Sequence, residues 1–505
     1  MAATHLIPPV KNHRVTVLEP ANSAFEFANG ILAGYNQLVY GPHLSPAPSR
    51  SPSPSLPDSA SPLQCDGGHS SSAGEPGPHD QRSSTSTLQE RAPPAVLPVA
   101  ETLTRAEKRK LQEKLRSKEN KRRKKEKMDE YLPRDSGHAK KHLAGASHIP
   151  TSFEAEKMPI SKAGFIALRS PDSAMTYRLE DFIGPNAKFN LKLVNWKGEE
   201  TMVTTDKSER ITTVCVSKPE GDETWEDMQQ RAAQAIESAR AKLHFSKKDR
   251  DHRRGGFPAL AVGISHGGGQ PYPKMRRQDP RNREALQELM SEPAFERISG
   301  HATGAFAQWA PRLCAYENRY LTELIEHDRQ LRRENKHPKP SEEELRRVWP
   351  RTPWAATTFN FGPQTVCFKH IDYNNLAFGW CAITALGTFD HTKGGHLILW
   401  DLGIIIEFPA GCTILIPSAA IHHSNVIVGA HERRYSVTQY SAGGIFRWVD
   451  NNFQSVVNFR EQMTPDERAA ALERLSEQLD FGLSLYSDIA ELEKKHDVSF
   501  KYAEE

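Results

Sequence analysis

The strongest constraint on the fold is a change to period-two alternation of apolar residues between Phe359 and Tyr440. Short apolar runs bounded by Gly, Pro, Asn or Asp follow one another there: FGWCAITALG, GHLILW, GIIIEF, CTILIP, SNVIV and RRYSVTQY. Each run has the length of a β-strand, and no helical pattern separates them. Six closely spaced strands predict an antiparallel barrel or sandwich. Helical patterns lie on both sides of this region, so the sequence predicts an α+β fold.

The 505-residue chain divides by composition into segments of different character. Residues 1–40 are ambiguous, with some apolar and aromatic content. Residues 41–100 are rich in Pro, Ser and Gly and have too few large apolar residues to offset the entropy cost of ordering, so we predict disorder. Residues 101–145 are rich in Lys and Arg without a sustained apolar stripe, which predicts a solvated or polyanion-bound helix. The rest divides into a globular domain at 146–455 and a helical extension at 456–505.

Capping residues predict several helix boundaries. Thr224 with Asp227 is typical of a capping box and predicts a helix that runs to about Leu243. Near the other end of the chain, Thr464 followed three residues later by Glu467 predicts a second helix start. Three more helices are predicted at 282–298, 304–334 and 342–349.

The six cysteines predict neither a disulfide framework nor a cysteine-ligated zinc site, because they are scattered and no C-x-x-C pair occurs. Such usage is typical of a reducing intracellular compartment. The N-terminus lacks an uninterrupted apolar stretch, so we expect no secretory signal. The most apolar region, 396–417, is interrupted by acidic residues, Pro and Gly, and we expect short strands there and no membrane span.

The motif Phe368-Lys369-His370-Ile371-Asp372 is the strongest chemical signal. Residues i and i+2 of an extended segment project to the same face, so His370 and Asp372 can share a metal ion. A third ligand must come from a distant strand, and AAIHHSN offers His422 or His423, of which only one can face the same way. Two histidines and one carboxylate are the ligand set of non-haem Fe(II) oxygenases. An isolated H-x-D is also compatible with a surface histidine beside a solvated aspartate.

The strand that follows contains Arg434, Ser436, Thr438 and Tyr440 on one face. If that face is the barrel interior, the guanidinium can bind the distal carboxylate of a 2-oxo acid in bidentate fashion. The alternative is an arginine whose charged end reaches solvent at the barrel rim.

Basic runs accompany these motifs. The segments at 247–254 and 273–281 lie within the globular region and can contact phosphates, although solvated loops have the same composition. The run at 105–127 is typical of a nuclear localisation signal or a DNA-binding arm, and we expect nuclear targeting.

Several blocks between Ala356 and Gln454 carry a resemblance to one family of enzymes. They read FNFGPQTVCFKHIDYNNLAFGWCAITALGTFD, KGGHLILWDL, LIPSAAIHHSN and ERRYSVTQYSAGGIFRWVDN. Here the chain resembles the TET/JBP type of 2-oxoglutarate dioxygenase, in the expanded form common in mushroom-forming fungi. Upstream, RGGFPALAVGISHGGGQPYP and ISGHATGAFAQWAPRL also look like this family, so the resemblance covers roughly residues 150–455.

The resemblance implies a double-stranded β-helix core that binds Fe(II) and 2-oxoglutarate. In that family the last His before Ser-Asn is the distal iron ligand, which here favours His423 over His422. The Arg of Arg-Tyr-Ser binds 2-oxoglutarate in that family, which corresponds to Arg434 with Ser436 beside it. Asn360 resembles an asparagine that touches 2-oxoglutarate in AlkB-like relatives, although a local backbone contact is equally compatible with its position.

The resemblance also implies a substrate. It predicts stepwise oxidation of the methyl group of 5-methylcytosine in DNA to hydroxymethyl, formyl and carboxyl forms by dioxygen, and some relatives act on N6-methyladenine. Asn375, three residues after the metal aspartate, occupies a position that contacts the base in TET-like enzymes. Some relatives have a carboxylate there, which leaves the base preference open. A methyl group on a paired base is out of reach, so the nucleotide must be flipped or single-stranded.

Three alternatives remain open from the sequence. Residues 263–267 spell G-x-S-x-G, the pattern of a hydrolase nucleophile elbow, but Gly-Gly-Gln-Pro follows where a helix should begin. A DNA-binding protein without catalytic activity is the second alternative. The third is a 2-oxoglutarate oxygenase that acts on a protein or a small molecule.

Overall fold

The structure, a computed structural model, describes residues 137–502. The predictions for residues 1–40, for the Pro/Ser-rich segment 41–100 and for most of the basic segment 101–145 therefore fall outside the described residues. The nuclear-targeting run predicted at 105–127 lies outside them as well. Within the described range, no helix combines the length and apolar character needed to cross a bilayer.

Groups of helices and groups of strands succeed one another up to residue 360. Strands dominate from there to residue 440, and mainly helices follow. The α-helices are α1 (Gly137–Ala144), α2 (Trp225–Lys242), α3 (Lys247–Arg250), α4 (Arg283–Met290), α5 (Pro293–Trp309), α6 (Pro311–Arg333), α7 (Gly443–Asp450), α8 (Val456–Glu461), α9 (Pro465–Ser476), α10 (Gln478–Ser484) and α11 (Ile489–His496). The strands are β1 (Ser147–Pro150), β2 (Lys192–Val194), β3 (Met202–Thr205), β4 (Ile211–Val216), β5 (Ala259–Ser265), β6 (Lys274–Met275), β7 (Ala356–Asn360), β8 (Cys381–Thr388), β9 (Leu397–Leu399), β10 (Ile404–Ile406), β11 (Thr413–Ile416), β12 (His423–Asn425), β13 (Arg433–Tyr440) and β14 (Lys501–Tyr502).

Two sheets form the centre of the fold. The larger has the strand order β14-β1-β3-β4-β11-β8-β13-β7-β5-β6, and the smaller has the order β12-β9-β10-β2. Residues 367–370 extend the smaller sheet, because His370 pairs with His423 on β12. From β7 through this segment to β13, the chain passes between the two sheets in the order of a double-stranded β-helix, with β9 and β10 as an antiparallel pair within the smaller sheet. The predicted α+β fold with a jelly-roll core is therefore confirmed.

Side chains on β7, β8 and β13 separate onto two faces. Phe359, Leu386 and Val437 pack with α2, α4 and α5 in one apolar cluster. Asn360 and Ser436, next to them in sequence, project to the opposite face because successive strand residues alternate. The interior of the double-stranded β-helix is therefore lined with polar side chains along these strands.

The smaller sheet is covered on both faces, which explains its continuous apolar sequence. Ile404 and Ile406 on β10 belong to the central core. Ile405 belongs to a separate cluster with Tyr177 and Phe182, contributed by the segment before β2.

The helix predicted at 342–349 is wrong, since this segment has no regular secondary structure. Side chains from α6 bind its backbone groups instead. Asp328 accepts the Leu345 N–H at 3.1 Å, and Arg332 donates to the Glu342 carbonyl at 2.9 Å. Backbone groups satisfied in this way do not need the bonds of a helix.

The helices predicted at 282–298 and 304–334 are each present but interrupted. Pro293 begins α5 and Pro311 begins α6. Because proline has no N–H to donate and fits the first helical turn, each proline starts a new helix where the apolar pattern alone predicts continuity.

Two of the predicted helix starts have different outcomes. The start predicted at Thr464 is confirmed by α9, where Thr464 and Glu467 also bond reciprocally. Thr224 does precede α2, but its hydroxyl donates to Asp222 at 2.7 Å and makes no capping bond. The capping box predicted at Thr224 and Asp227 is therefore wrong, although the helix that it predicted is present.

The C-terminal helices pack into the same core as the strands. Leu483, Tyr486 and Leu492 are buried in the central cluster. The Tyr486 hydroxyl donates to the Phe378 carbonyl at 2.9 Å. Strand β14 adds to the edge of the larger sheet, parallel to β1.

Candidate metal centre

Backbone pairing holds the first two candidate ligands opposite each other. The His370 N–H donates to the His423 carbonyl at 3.0 Å, and the His423 N–H donates to the His370 carbonyl at 2.9 Å. Residues paired in this way project their side chains to the same side of a sheet. The two imidazole centroids lie 4.3 Å apart, and both side chains are buried.

Asp372 joins this pair from two residues further along the chain. Its N–H donates to the Ser418 carbonyl at 2.8 Å, which fixes the backbone next to β11. One possible ligand atom from each of Asp372, His370 and His423 lies within 4.8 Å of the other two. The structure therefore brings together the three residues that the sequence suggested as metal ligands.

Backbone carbonyls orient both imidazoles for metal binding. His370 Nδ1 lies 2.7 Å from the Phe368 carbonyl, and His423 Nδ1 lies 2.9 Å from the Ile421 carbonyl. Because a carbonyl only accepts, each Nδ1 carries the proton and each Nε2 keeps a lone pair for a metal ion. Burial lowers the pKa of both histidines below 6.5, so both are neutral near pH 7.

The Asp372 carboxylate is the anionic member of the set. Burial acts to raise its pKa, but coulombic interactions with the protonated forms of His370 and His423 and with Arg254 and Arg253 outweigh burial and lower the pKa to about 2. The group is therefore ionised at neutral pH. Two neutral imidazoles and one carboxylate fit Fe(II) with one coordination face left open.

His422, the alternative third ligand, lies on the other side of β12. Its Nδ1 lies 3.0 Å from a carboxylate oxygen of Asp401, and the same oxygen accepts the His422 N–H at 2.6 Å. Because adjacent strand residues point to opposite faces, His422 cannot reach the ion that His423 faces.

Arg434 is buried in the interior between the sheets, with 1% of its surface exposed. Its Nη1 donates to the Thr365 carbonyl at 2.8 Å, whereas its Nε has no partner among the described residues. Within residues 137–502, no carboxylate lies within ion-pair distance of this guanidinium. Burial lowers its pKa to about 10, so it remains charged. A buried cation with an unused donor indicates a binding site for an anion.

Two further predicted residues lie on the same polar face. The Asn360 side-chain amide donates to Ser436 Oγ at 2.9 Å, across the β7–β13 pair. Asn360 Oδ1 is buried and has no hydrogen-bond partner within residues 137–502. The pair therefore adds an unsatisfied acceptor to the interior that contains Arg434.

His396 was not predicted as a site residue, yet it is fully buried and neither ring nitrogen has a partner in the part of the chain that the structure describes. Burial lowers its pKa to about 4, and the charges of His391 and Arg434 act in the same direction. Gly395, at φ 77°, lets the backbone pass the guanidinium closely, since a Cβ there would lie 3.1 Å from Arg434 Nε. The Gly-Gly before this histidine was the available sequence signal.

Asn375 lies beside the metal aspartate. Its backbone N–H donates to the Asp372 carbonyl at 2.8 Å, and its side-chain nitrogen Nδ2 lies 3.4 Å from both Cys381 Sγ and Ser418 Oγ. These contacts fix the amide at the wall of a cavity next to the metal centre.

That cavity, of about 470 Å³, connects the metal centre with both basic segments singled out in the sequence. We call it the basic cavity. Asp372, Asn375 and Tyr440 lie along its inner wall. Within residues 137–502, four cations that line it have no carboxylate partner within ion-pair distance: Lys248, Arg254, Arg276 and Arg277.

The G-x-S-x-G segment does not form a nucleophile elbow. Ser265 ends β5, and the chain continues through a turn into β6 without a helix. The Ser265 hydroxyl accepts a bond from the Gln270 side chain at 3.3 Å. An elbow requires a strand followed directly by a helix, so the hydrolase alternative lacks its geometry.

Comparison of the chain with protein-family profiles and with curated proteins found no match. Matching solved structures include one described as NgTET1 in complex with 5mC DNA, with 16% identity over 50% of this chain and 83% of that chain, at a TM-score of 0.35. A second is an oxidoreductase of the 2OG-Fe(II) oxygenase family from Burkholderia pseudomallei, with 16% identity over 46% of this chain and 84% of that chain, at a TM-score of 0.24. A third is described as OsALKBH1, with 10% identity over 46% of this chain and 96% of that chain, at a TM-score of 0.23.

Proposed function

We propose that this chain is an Fe(II)- and 2-oxoglutarate-dependent dioxygenase that oxidises a methylated base in DNA. One observation carries the proposal: His370, Asp372 and His423 converge in the double-stranded β-helix, whose interior also buries Arg434 with no carboxylate partner from residues 137–502. The three side chains offer two neutral nitrogens and one anionic oxygen to a metal ion. The guanidinium offers a positive charge to an acid.

Each group of the interior has a role in this proposal. His370 Nε2, His423 Nε2 and the Asp372 carboxylate would hold the iron, and Arg434 would bind the distal carboxylate of 2-oxoglutarate. Iron and 2-oxoglutarate together supply oxidation of a substrate C–H bond by dioxygen, with succinate and carbon dioxide as co-products. Asn360 is bonded to Ser436 on the polar face of the β7–β13 pair, and we propose that it contacts 2-oxoglutarate there.

The basic cavity favours a nucleic-acid substrate. Lys248, Arg254, Arg276 and Arg277 line it without carboxylate partners in the described chain, so they are available for backbone phosphates. The cavity reaches Asp372, so a base turned out of its stack can bring a methyl group to the metal centre.

The finer assignment follows the resemblance to the TET/JBP type found in mushroom-forming fungi. On that basis we propose 5-methylcytosine as the substrate, oxidised to hydroxymethyl, formyl and carboxyl forms, with N6-methyladenine as a second base. We also propose a nuclear location. Asn375 is the proposed base-contacting residue, because its amide lies in the cavity wall beside Asp372.

Nucleoside mass spectrometry tests the proposal. The protein is incubated with Fe(II), 2-oxoglutarate, ascorbate and DNA that contains either methylated base. We expect oxidised nucleosides from the wild type and none from His370→Ala. Turnover of 2-oxoglutarate without any modified base would favour a protein or small-molecule substrate, because the chemistry is the same. If 2-oxoglutarate is not consumed and DNA still binds, the chain is a DNA-binding protein without catalytic activity.

A further inference from the structure

The basic segment that lines the cavity is bonded directly to the ligand-bearing segment. His252 and Gly255 exchange backbone hydrogen bonds of 3.2 and 2.9 Å, which closes a tight turn with Arg253 and Arg254 at its tip. The Arg254 carbonyl accepts the N–H of Phe368 at 2.8 Å. The turn is therefore attached two residues before His370.

The two arginines at the tip have different partners. Arg253 Nη1 donates to the Ile371 carbonyl at 2.7 Å, and Nη2 lies 3.4 Å from Asp372 Oδ1. Its guanidinium also lies 5.0 Å from the centre of the Tyr373 ring. Arg254 lines the same cavity and has no carboxylate within ion-pair distance among residues 137–502. One arginine thus binds the metal carboxylate while its neighbour is available to an anion.

Arg253 contacts both the basic cavity and the metal centre. It lines the basic cavity with 29% of its side chain exposed, and it contacts Asp372, whose side chain is 16% exposed. As a cation beside the metal ligand, it opposes metal binding by charge repulsion. An anion in the cavity would offset that repulsion through the same guanidinium.

We infer that Arg253 is a positioning residue that couples anion binding in the basic cavity to metal binding at His370, Asp372 and His423. This inference rests on the proposed function, because the anion is the phosphate backbone of DNA. Coupling between two sites is reciprocal, so DNA tightens metal binding by the same factor by which metal tightens DNA binding.

Titration with Mn²⁺ tests this inference without turnover. The dissociation constant of Mn²⁺ is measured with and without a saturating 5-methylcytosine oligonucleotide, for the wild type and for Arg253→Gln. We expect the oligonucleotide to tighten Mn²⁺ binding about 5-fold in the wild type and less than about 2-fold in Arg253→Gln. Arg253→Lys keeps the charge but can replace only one of the two hydrogen bonds, so we expect an intermediate tightening of Mn²⁺ binding by the oligonucleotide.

Arg277→Gln is the matched control, since Arg277 lines the cavity but has no bond to the ligand-bearing segment. Arg277→Gln should weaken oligonucleotide binding. Once the oligonucleotide is saturating, it should still tighten Mn²⁺ binding about 5-fold, as in the wild type. A purely structural role for Arg253 would change the Mn²⁺ affinity equally with and without oligonucleotide. An equal ratio in wild type and Arg253→Gln would therefore overturn the inference and leave the proposed function intact. An oligonucleotide that does not bind the wild type would overturn both.

Discussion

A guanidinium buried without a counter-ion destabilises a folded chain unless a ligand supplies the anion. Arg434 is in this situation, because it is 1% exposed and its Nε has no partner from the described range 137–502. Arg332 on α6 is the contrasting case, since its Nε lies 2.8 Å from the buried Asp328 carboxylate. The two arginines therefore distinguish a ligand-binding cation from a structural one.

Substitution with methionine should separate these roles. Arg434→Met is expected to leave the unfolding free energy of the metal-free protein unchanged or to raise it by about 1 kcal/mol, because an unpaired buried charge is removed. The same variant should weaken 2-oxoglutarate binding by about 100-fold. Urea unfolding and calorimetric titration with 2-oxoglutarate in the presence of Mn²⁺ measure the two quantities.

Arg332→Met is the control. It should lose about 3 kcal/mol of unfolding free energy, because the Asp328 carboxylate stays buried without its arginine. If Arg434→Met destabilises the protein to the same extent and still binds 2-oxoglutarate normally, Arg434 is structural.

His396 makes stability depend on pH. Burial is the largest cause that lowers its pKa from 6.5 to about 4. As the pH falls, the unfolded chain binds the proton first. The stability associated with this residue is therefore complete above pH 6.5, is lost between pH 6.5 and 4, and falls no further below that. The total loss is about 3 kcal/mol.

The measurement compares urea unfolding of the metal-free wild type with His396→Gln, which does not titrate. Between about pH 7 and about pH 4.5, the unfolding free energy of the wild type should fall by about 2 to 3 kcal/mol more than that of the variant. If the difference in unfolding free energy between the wild type and His396→Gln stays constant with pH, the imidazole is not buried in its neutral form.

At the scale of elements, the junction of β8 and β13 positions Arg434. Gly387 pairs with Arg434 across this junction at φ 118°. A Cβ at Gly387 would lie 2.2 Å from the Arg433 carbonyl oxygen, so the strands can approach only if this residue is glycine. Gly387 therefore allows β8 and β13 to approach each other closely beside Arg434.

Gly387→Ala should therefore lower the unfolding free energy by about 3 kcal/mol, because a backbone atom cannot move aside. Gly300→Ala is the matched control. Gly300 lies within α5 with open space at its Cβ position, and alanine should raise stability by about 0.5 to 1 kcal/mol. Urea unfolding midpoints measure both changes, and equal effects of the two substitutions would contradict this account of the strand junction.

Local patterns predicted the elements that depend on neighbours in sequence. Strand alternation placed His370 with Asp372, and Arg434 with Ser436, because both depend on a period of two. The segment at 342–349 was mispredicted because its backbone partners come from α6.

The unpredicted parts of the candidate site depend on packing between distant segments. Within residues 137–502, the ring nitrogens of His396 have no partner because of how the folded interior packs around them. The sequence shows only that this residue is a histidine. The bonds of Arg253 to Ile371 and Asp372 span more than one hundred residues. In the sequence this arginine belonged only to a basic run.

At the scale of the whole molecule, the small net charge of +3 conceals a local excess of positive charge. The basic cavity beside the metal centre holds four cations without a carboxylate partner from residues 137–502. If each one contacts a phosphate, the logarithm of the DNA association constant should fall with the logarithm of salt concentration, with a slope of about −3 to −4.

Arg276→Gln should reduce the magnitude of that slope by about 1, because one phosphate contact is removed. Fluorescence anisotropy over a series of salt concentrations measures the slope. Lys242→Gln is the control, since Lys242 lies outside the cavity and pairs with Glu288, and it should leave the slope unchanged. A slope near zero for the wild type would exclude phosphate binding in the cavity.

The central claim is that His370, Asp372 and His423 bind a single metal ion, and anaerobic calorimetric titration with Fe(II) tests it most directly. The wild type should bind one equivalent, and alanine at any one of the three positions should weaken binding by at least about 100-fold. His422→Ala should bind one equivalent with nearly unchanged affinity, since that side chain faces Asp401 on the other side of β12. If the wild type binds no Fe(II), or if His370→Ala binds it as tightly as the wild type, the claim is contradicted.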